Sequence, residues 1–471
     1  MAAPAQHHFE DVGLRPGSLT LGEIASLSLM KVQQQLSTRL ARHASPGRVL
    51  ALTMICFTLL AAGVLSLTPP WEANDEPDHI RNIEVLVSGH WYRITPESGF
   101  EPQQAPLYYL LMAGYQKLAR LPPELPNGQL GPVADNQQHG NYLHNVPQDG
   151  ENQRLVDFLR LPSILFGLLA ILLTYVAAKR ISRDRWTPAV AAALVAGVPK
   201  FVFLSSVVNN DNLSDFLGAA GLALALGLLA SPPKTQRRRL VGATAVGLVA
   251  GMLVLTKVTN GLVAPGLLLA TVLLTRDWRE RLQLVAAFFA AALVVSGWWF
   301  VQNQVRYGDP LAARAATAHL KAIFPPLFEI AGPTERIFVQ IPQGIYKSLW
   351  YVSGYNQFTW RWFWYLPFWC GAVVGIGGLL WRRRSLPAAR SIVWVLSIVA
   401  VGALAIVWVL GLETSTQEAR VAFVGLPAMA ILVALGYERL GISTMWRFVL
   451  PAIGLIGTVA AIRYNVIIPY S

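Results

Sequence analysis

The stretch WEANDEPDHIRN, residues 71–82, places Glu72, Asp75, Glu76, Asp78 and His79 within eight positions. A carboxylate held within hydrogen-bond reach of a hydroxyl can take its proton as a general base. Two adjacent carboxylates that are close and partly buried raise the pKa of one of them, which makes it a better base near neutral pH. Asp75 and Glu76 are therefore the candidate catalytic pair. His79, one helical turn from both, is a candidate for acceptor binding, with an ordinary surface histidine as the competing reading. Further polar stretches follow: QQAPLYY (103–109) with Gln104 and Tyr108, NNDN (209–212) with Asn210 and Asp211, and Lys257 in LTKVTNG. WWFVQNQVRYGDP (298–310) adds Asn303 and Arg306, and TSTQEAR (414–420) adds Arg420. Gln104, Tyr108, Asn210, Asp211 and Asn303 are candidates for lining a substrate or acceptor site. Lys257, Arg306 and Arg420 are the cations that a phosphate leaving group needs, because charge develops on its oxygens in the transition state. Arginine can also grip a phosphate with two parallel hydrogen bonds. Blander readings compete for each: a snorkelling lysine, an interface anchor beside Tyr307, an ion pair of Arg420 with Glu413 or Glu418, and helix caps at Asn210 and Asp211. No tight spacing of ligand residues forces a metal site, and none is assigned.

These residues must be positioned by membrane helices. The chain is 54% hydrophobic and only 14% charged, against about a quarter charged in a soluble domain. Runs of about 18 apolar residues recur, each long enough to cross a hydrocarbon core about 30 Å thick. Bare backbone finds no partner in lipid, so these runs are helices and the fold class is an all-α integral membrane protein. Eleven spans are expected, near residues 50–67, 156–178, 187–207, 213–230, 240–256, 258–275, 282–301, 362–380, 391–411, 420–437 and 447–464. Residues 1–49 read as a cytoplasmic tail without a cleavable signal, 50–67 as a signal anchor, and 50–471 as one transmembrane domain. With the N-terminus inside, the tail and the short inside loops hold 22 Lys and Arg, against about 14 on the other side, as the positive-inside rule requires. That bias also accounts for the net charge of +12 without any nucleic-acid partner. The two cysteines, Cys56 and Cys370, both lie in apolar runs, so neither a disulfide framework nor a metal site is expected. The long outside segments are 68–155 and 302–361. The first contains an amphipathic helix around 76–90, an interfacial helix around 105–121, and a Pro-, Gly-, Asn- and Gln-rich loop over 122–152.

The motif string NDEPDHIRNIEVLVSGHWYRI, followed by QQAPLYYLLMAGY, resembles the first external loop of the GT-C membrane glycosyltransferases. The nearest likeness is to the branch of protein O-mannosyltransferases and the lipid A aminoarabinose transferase. In that branch an Asp-Glu pair follows the first span, an amphipathic helix ends in a Gly and an aromatic, and a Pro-Leu-Tyr-like stretch opens the next helix. Here these are Asp75-Glu76, Gly89-His90-Trp91 and Pro106-Leu107-Tyr108. NNDNL, LTKVTN, WWFVQNQVRYGDP and EARVAFVGLPAMAILVALG follow in the family's order, so the likeness runs from about residue 50 to 440.

The resemblance implies a GT-C-type fold and transfer of a sugar from a polyprenyl-phosphate donor to a hydroxyl acceptor on the extracytoplasmic face. Asp75 would be the base with Glu76 in support, and Lys257, Arg306 and Arg420 would hold the phosphate. The setting would be the plasma (inner) membrane and cell-envelope assembly, the acceptor a glycan, lipid or protein. Some relatives need a divalent cation, which stays the one open cofactor. Pro77, Asp78 and His79 depart from the better-known members, and the chain ends just after its last span, which leaves the acceptor open. The rival is a transporter or flippase of lipid-linked glycans, which would show paired broken helices from two related halves.

Overall fold

The computed structural model describes residues 45–70, 73, 75–96, 98–99, 101–124, 150–328, 332–353, 358–381, 388–414 and 417–463. The tail up to residue 44, Glu72, most of the 122–152 loop and the arginine run 382–384 lie outside them.

Among the described residues, nine helices are long and apolar enough to cross a membrane. They coincide with nine of the eleven expected spans. The outward faces carry Leu52, Leu59, Val294, Val373 and Ile456, all exposed, as contact with hydrocarbon permits. The first span is α1 (Pro46–Leu67). Two short amphipathic helices follow, α2 (Glu76–Val87) and α3 (Leu107–Leu118), which pack on each other. Next come α4 (Gly150–Ile181), the short α5 (Thr187–Ala196) and α6 (Pro199–Leu204), then α7 (Asp211–Ala230) and α8 (Gln236–Thr256). A 3-10 turn, Val258–Val263, leads into α9 (Ala264–Val272), and α10 (Trp278–Tyr307) runs back along α8.

The expected span 187–207 is broken, and the expected span 258–275 opens as a 3-10 turn and is too short for a full crossing. Pro199 cannot donate to a helix and pushes Val198 into an extended conformation, φ −86° and ψ 110°. Lys257 is extended too, φ −156° and ψ 120°, at the end of α8. Such backbone is tolerated at membrane depth only inside protein, and every residue of α5 and α6 is buried. A lysine stands at each interruption, Lys200 just after the first and Lys257 between α8 and the 3-10 turn.

The second long segment contributes α11 (Ala313–Ile323), α12 (Ile341–Ser348) and a small antiparallel hairpin, β1 (Val352–Ser353) with β2 (Phe358–Thr359). Then follow α13 (Leu366–Leu380) and α14 (Arg390–Glu413). A 3-10 turn, Ala419–Gly425, opens α15 (Leu426–Leu440), and α16 (Val449–Ile462) ends the described chain. The turn and α15 are almost wholly buried and form the centre of the bundle.

Helices approach closely where glycines face each other. A Cβ on Gly436 would lie 1.6 Å from the Gly375 carbonyl oxygen of α13, whereas one on Gly377 meets nothing within 4 Å. Lipid supplies little drive for helix association, so packing of this kind carries it. Gly436→Ala is expected to cost about 1–3 kcal/mol or more, read as a lower thermal midpoint in detergent. Gly377→Ala should leave the midpoint unchanged.

Candidate active site

The loop after α1 is held by a buried arginine. Arg160 on α4 and Glu76 on α2 are both fully buried, with Arg160 Nε and Nη2 reaching the two carboxylate oxygens at 2.8 and 2.7 Å. Arg160 also donates to the carbonyls of Leu65, Thr68 and Pro69. Glu76 Oε1 accepts the Val208 amide at 3.0 Å. Two residues on from Arg160, Pro162 leaves the Phe158 carbonyl without its helical donor. Tyr115 Oη of α3 donates to it instead, at 2.9 Å.

Asp75 then stands at the head of α2 in a left-handed conformation, φ 62°, with no side-chain capping bond. Residues other than glycine seldom adopt this, though Asp does so more readily than most, and the strain gathers at functional sites. Its side chain is 27% exposed and forms an ion pair with Arg420. Arg420 is buried on the 3-10 turn before α15 and also meets Glu418 at 2.7 Å. Glu418 in turn faces Lys200 at 3.6 Å, and Lys200 Nζ donates to the Val352 carbonyl of β1 at 2.5 Å. On the other flank Lys257 pairs with Asp211 at 2.5 Å. The second oxygen of Asp211 is buried and, among the described residues, has no hydrogen-bond partner. Three cations, Lys200, Lys257 and Arg420, thus share the site with Asp75, Asp211 and Glu418.

Burial pushes the Asp75 carboxyl up, but Arg420, with His79 and Lys257, outweighs it and holds Asp75 below the usual carboxylate range. His79 is lowered to about 4, chiefly by burial and against the pull of Asp75 and Asp211. It is therefore neutral at physiological pH, with Nδ1 2.8 Å from Tyr109 Oη.

Of the residues chosen from sequence, Asp75, His79, Asp211, Lys257 and Arg420 come together. Asn210 and Gln104 join them through a 3.1 Å hydrogen bond from Asn210 Nδ2 to Gln104 Oε1. Tyr108 is fully buried, its ring 6.3 Å from that of His79. Three candidates, Glu76, Arg306 and Asn303, are engaged elsewhere. Glu76 is engaged by Arg160 and the Val208 amide, because its position one residue into α2 turns it to the interior. Arg306, in the last turn of α10, reaches the side chain of Gln302 on its own helix and, among the described residues, forms no ion pair. Asn303, buried one turn behind Arg306's neighbours, donates to the Pro310 carbonyl at 3.1 Å and closes the end of α10. Among the described residues no group of three or more His, Cys, Asp or Glu side chains is placed to hold a metal ion.

Residues 119–306 match the family described as dolichyl-phosphate-mannose-protein mannosyltransferase. Over 152 residues the chain is 33% identical to the undecaprenyl phosphate-alpha-4-amino-4-deoxy-L-arabinose arabinosyl transferase of Pseudomonas aeruginosa strain LESB58, covering 32% of this chain and 27% of that protein. The crystal structure of apo ArnT from Cupriavidus metallidurans superposes with a TM-score of 0.51 at 18% identity, covering 87% of this chain and 63% of that one. The likeness shows a GT-C-type fold. A structure of the same ArnT bound to undecaprenyl phosphate gives a TM-score of 0.50 at 20% identity, covering 89% of this chain and 64% of that one. The chain thus spans less than two thirds of the length of these relatives.

Three charged residues at or beside this site carry no clear mark in the sequence. Lys200 and Arg160 stand within apolar runs, where an ionisable residue is itself a signal. Glu101 lies in an irregular loop, where no periodicity marks it.

Proposed function

We propose that this protein is a glycosyltransferase that moves a sugar from a polyprenyl-phosphate donor to a hydroxyl acceptor. The observation that carries the reading is the convergence, in a GT-C fold, of Asp75 with Arg420 and the Lys257–Asp211 pair at one end of the bundle. That end is opposite the basic loops 179–185, 232–239 and 275–281. The positive-inside rule makes those loops cytoplasmic, so the site faces away from the cytoplasm, in a cell-envelope setting.

The donor phosphate binds Lys257 and Arg420, whose charges oppose the charge that grows on its oxygens as it leaves. The acceptor oxygen attacks the anomeric carbon, the bond from that carbon to the phosphate oxygen breaks, and the polyprenyl phosphate departs with the electron pair. Asp75 takes the acceptor's proton. Phosphate binding draws Arg420 away from Asp75, and a carboxylate that loses its counter-ion becomes a stronger base. The isoprenoid tail has a place to lie: an open apolar groove of about 280 Å³ runs between α3 and α4, lined by Leu111, Met112, Tyr115, Leu161, Pro162, Leu165 and Phe166. The acceptor is a glycan, a glycolipid or a protein.

The test is incubation of the purified protein with radiolabelled polyprenyl-phosphate sugars and an envelope lipid extract, scoring label in product. Lys257→Ala should weaken donor binding about tenfold to a hundredfold, the worth of one charge-assisted contact, with the folded protein retained. Unchanged affinity would remove Lys257 from the phosphate site, and a panel with no bound or transferred member would sink the whole reading.

A further inference from the structure

The reaction above gives no role to Lys200. It lies on α6 just after the break at Pro199, with 1% of its side chain exposed. A buried ammonium group persists only with partners, and the structure supplies them. Lys200 Nζ donates to the Val352 carbonyl of β1 at 2.5 Å and faces Glu418 Oε2 at 3.6 Å. The backbone beneath it is fixed too, since the Lys200 amide donates to the Trp350 carbonyl at 2.8 Å.

Glu418 stands on backbone clamped by α12. The next amide, that of Ala419, donates to Ser348 Oγ at 2.7 Å, and a Cβ on Gly344 would lie 2.6 Å from the Gln417 carbonyl oxygen. Glu418 Oε2 therefore sits between two cations, Lys200 Nζ at 3.6 Å and Arg420 Nε at 2.7 Å. Arg420 is the least constrained of the three. Its Nη2 pairs with Asp75, while its buried Nε has no aligned hydrogen-bond acceptor among the described residues. On the Glu418 side it is held by charge alone, so no directional bond is lost when the guanidinium swings.

A phosphate that draws Arg420 toward itself also draws it from Glu418. Taking one partner from a buried ion pair is strongly unfavourable, because the other charge is left uncompensated. Lys200 is a second counter-ion that spares Glu418 this state. We propose that Lys200 is a positioning residue: by neutralising Glu418 it frees Arg420 to pass from Asp75 to the donor phosphate. The inference rests on the assignment of the phosphate to Lys257 and Arg420. Lys200 acts on the phosphate through Glu418 and without touching it.

The sign of each substitution follows. Lys200→Met keeps an apolar stem of similar length and removes the charge, so Glu418 claims Arg420 and phosphate affinity falls. Glu418→Gln removes the claimant and one negative charge that opposes the phosphate, so affinity rises. The double replacement removes both charges and returns affinity to near the wild-type value. A direct contact of Lys200 with the phosphate predicts instead that the loss persists in the double variant. A pair that serves the fold alone predicts lower thermal midpoints with affinity per folded molecule unchanged.

The experiment measures binding of undecaprenyl phosphate to the purified full chain in detergent, with a thermal midpoint for each protein. Wild type is compared with Lys200→Met, Glu418→Gln, their double variant and Lys257→Ala. Lys200→Met should bind about tenfold to a hundredfold more weakly, the range of coupling between neighbouring charges. Glu418→Gln should bind about threefold to tenfold more tightly than wild type, and the double variant within about threefold of it. Unchanged affinity in Lys200→Met, a loss that the double variant does not recover, or Glu418→Gln no tighter than wild type would each overturn the proposal and leave the phosphate site standing. Should Lys200→Met fail to fold, Glu418→Gln and the double variant decide by the same expectations. Wild-type protein that does not bind the probe, or Lys257→Ala that binds as tightly as wild type, would overturn the phosphate assignment and this inference with it.

Discussion

Asp75→Asn should lower sugar transfer by about three orders of magnitude, within the range of general-base effects, while the donor binds as tightly as before or tighter. The substitution is close to isosteric, and Asn tolerates the left-handed conformation that Asp75 holds at φ 62°. Arg420 keeps Glu418 at 2.7 Å, so the turn before α15 retains an anchor. What the change removes is the atom that can take the acceptor's proton. It also deletes a negative charge from beside the phosphate cations, so donor affinity has no reason to fall. The expected signature is a collapsed kcat with KM held or lowered. In the wild type, Arg420 holds Asp75 below the usual carboxylate range. The base is therefore ionised across the neutral region, and its acid limb lies below the ordinary carboxylate range. Stability follows the same sign: the contribution of the Asp75–Arg420 pair is complete above the ordinary carboxylate pKa and is lost as pH falls through the lowered one. Equal transfer by wild type and Asp75→Asn would remove Asp75 from the reaction.

Hydropathy makes the long helices legible because a spanning helix needs only length and apolarity, and nine of the expected spans are found as such. Val198-Pro199 inside one expected span and Lys257 between two others mark the interruptions in the sequence, but a window of about 18 residues averages over a single proline or lysine. The cost of that averaging fell on the site. Lys200 sits on α6 directly after the break in one span, Lys257 lies between two others, and Arg420 lies on a 3-10 turn at the head of a span. Cations gather where the helical ladder is interrupted, since irregular backbone must in any case be enclosed by protein. Asp75, His79, Asp211, Lys257 and Arg420 could be chosen from sequence because all lie at ends of elements on one side. Which cation meets which acid is set by tertiary packing that no spacing encodes. Arg306 meets the same sequence criterion, yet it reaches Gln302 on its own helix.

Glu76 illustrates the same limit, and its role can be separated from that of Asp75 by breaking its partner. Arg160→Ala should cost about 3–5 kcal/mol, the usual penalty when one member of a buried ion pair is removed. The geometry argues for the upper end. All five guanidinium N–H groups of Arg160 are used, two on Glu76 and three on the carbonyls of Leu65, Thr68 and Pro69. Removing them leaves Glu76 charged and buried, and strips donors from the carbonyl end of α1. The measurement is the thermal midpoint and the yield of monodisperse protein in detergent, with a large fall in both expected. Glu76→Gln keeps the shape and one acceptor for the Val208 amide, so it should cost less, about 1–3 kcal/mol. The protein that still folds should transfer sugar at near the wild-type rate per folded molecule, since Glu76 faces Arg160 and the Val208 amide within the core. A Glu76→Gln protein with wild-type stability and no transfer would reverse the assignment and return Glu76 to the chemistry. Stability lost with transfer kept would leave the Asp-Glu pair divided, one carboxylate for the proton and the other for the loop that aims it.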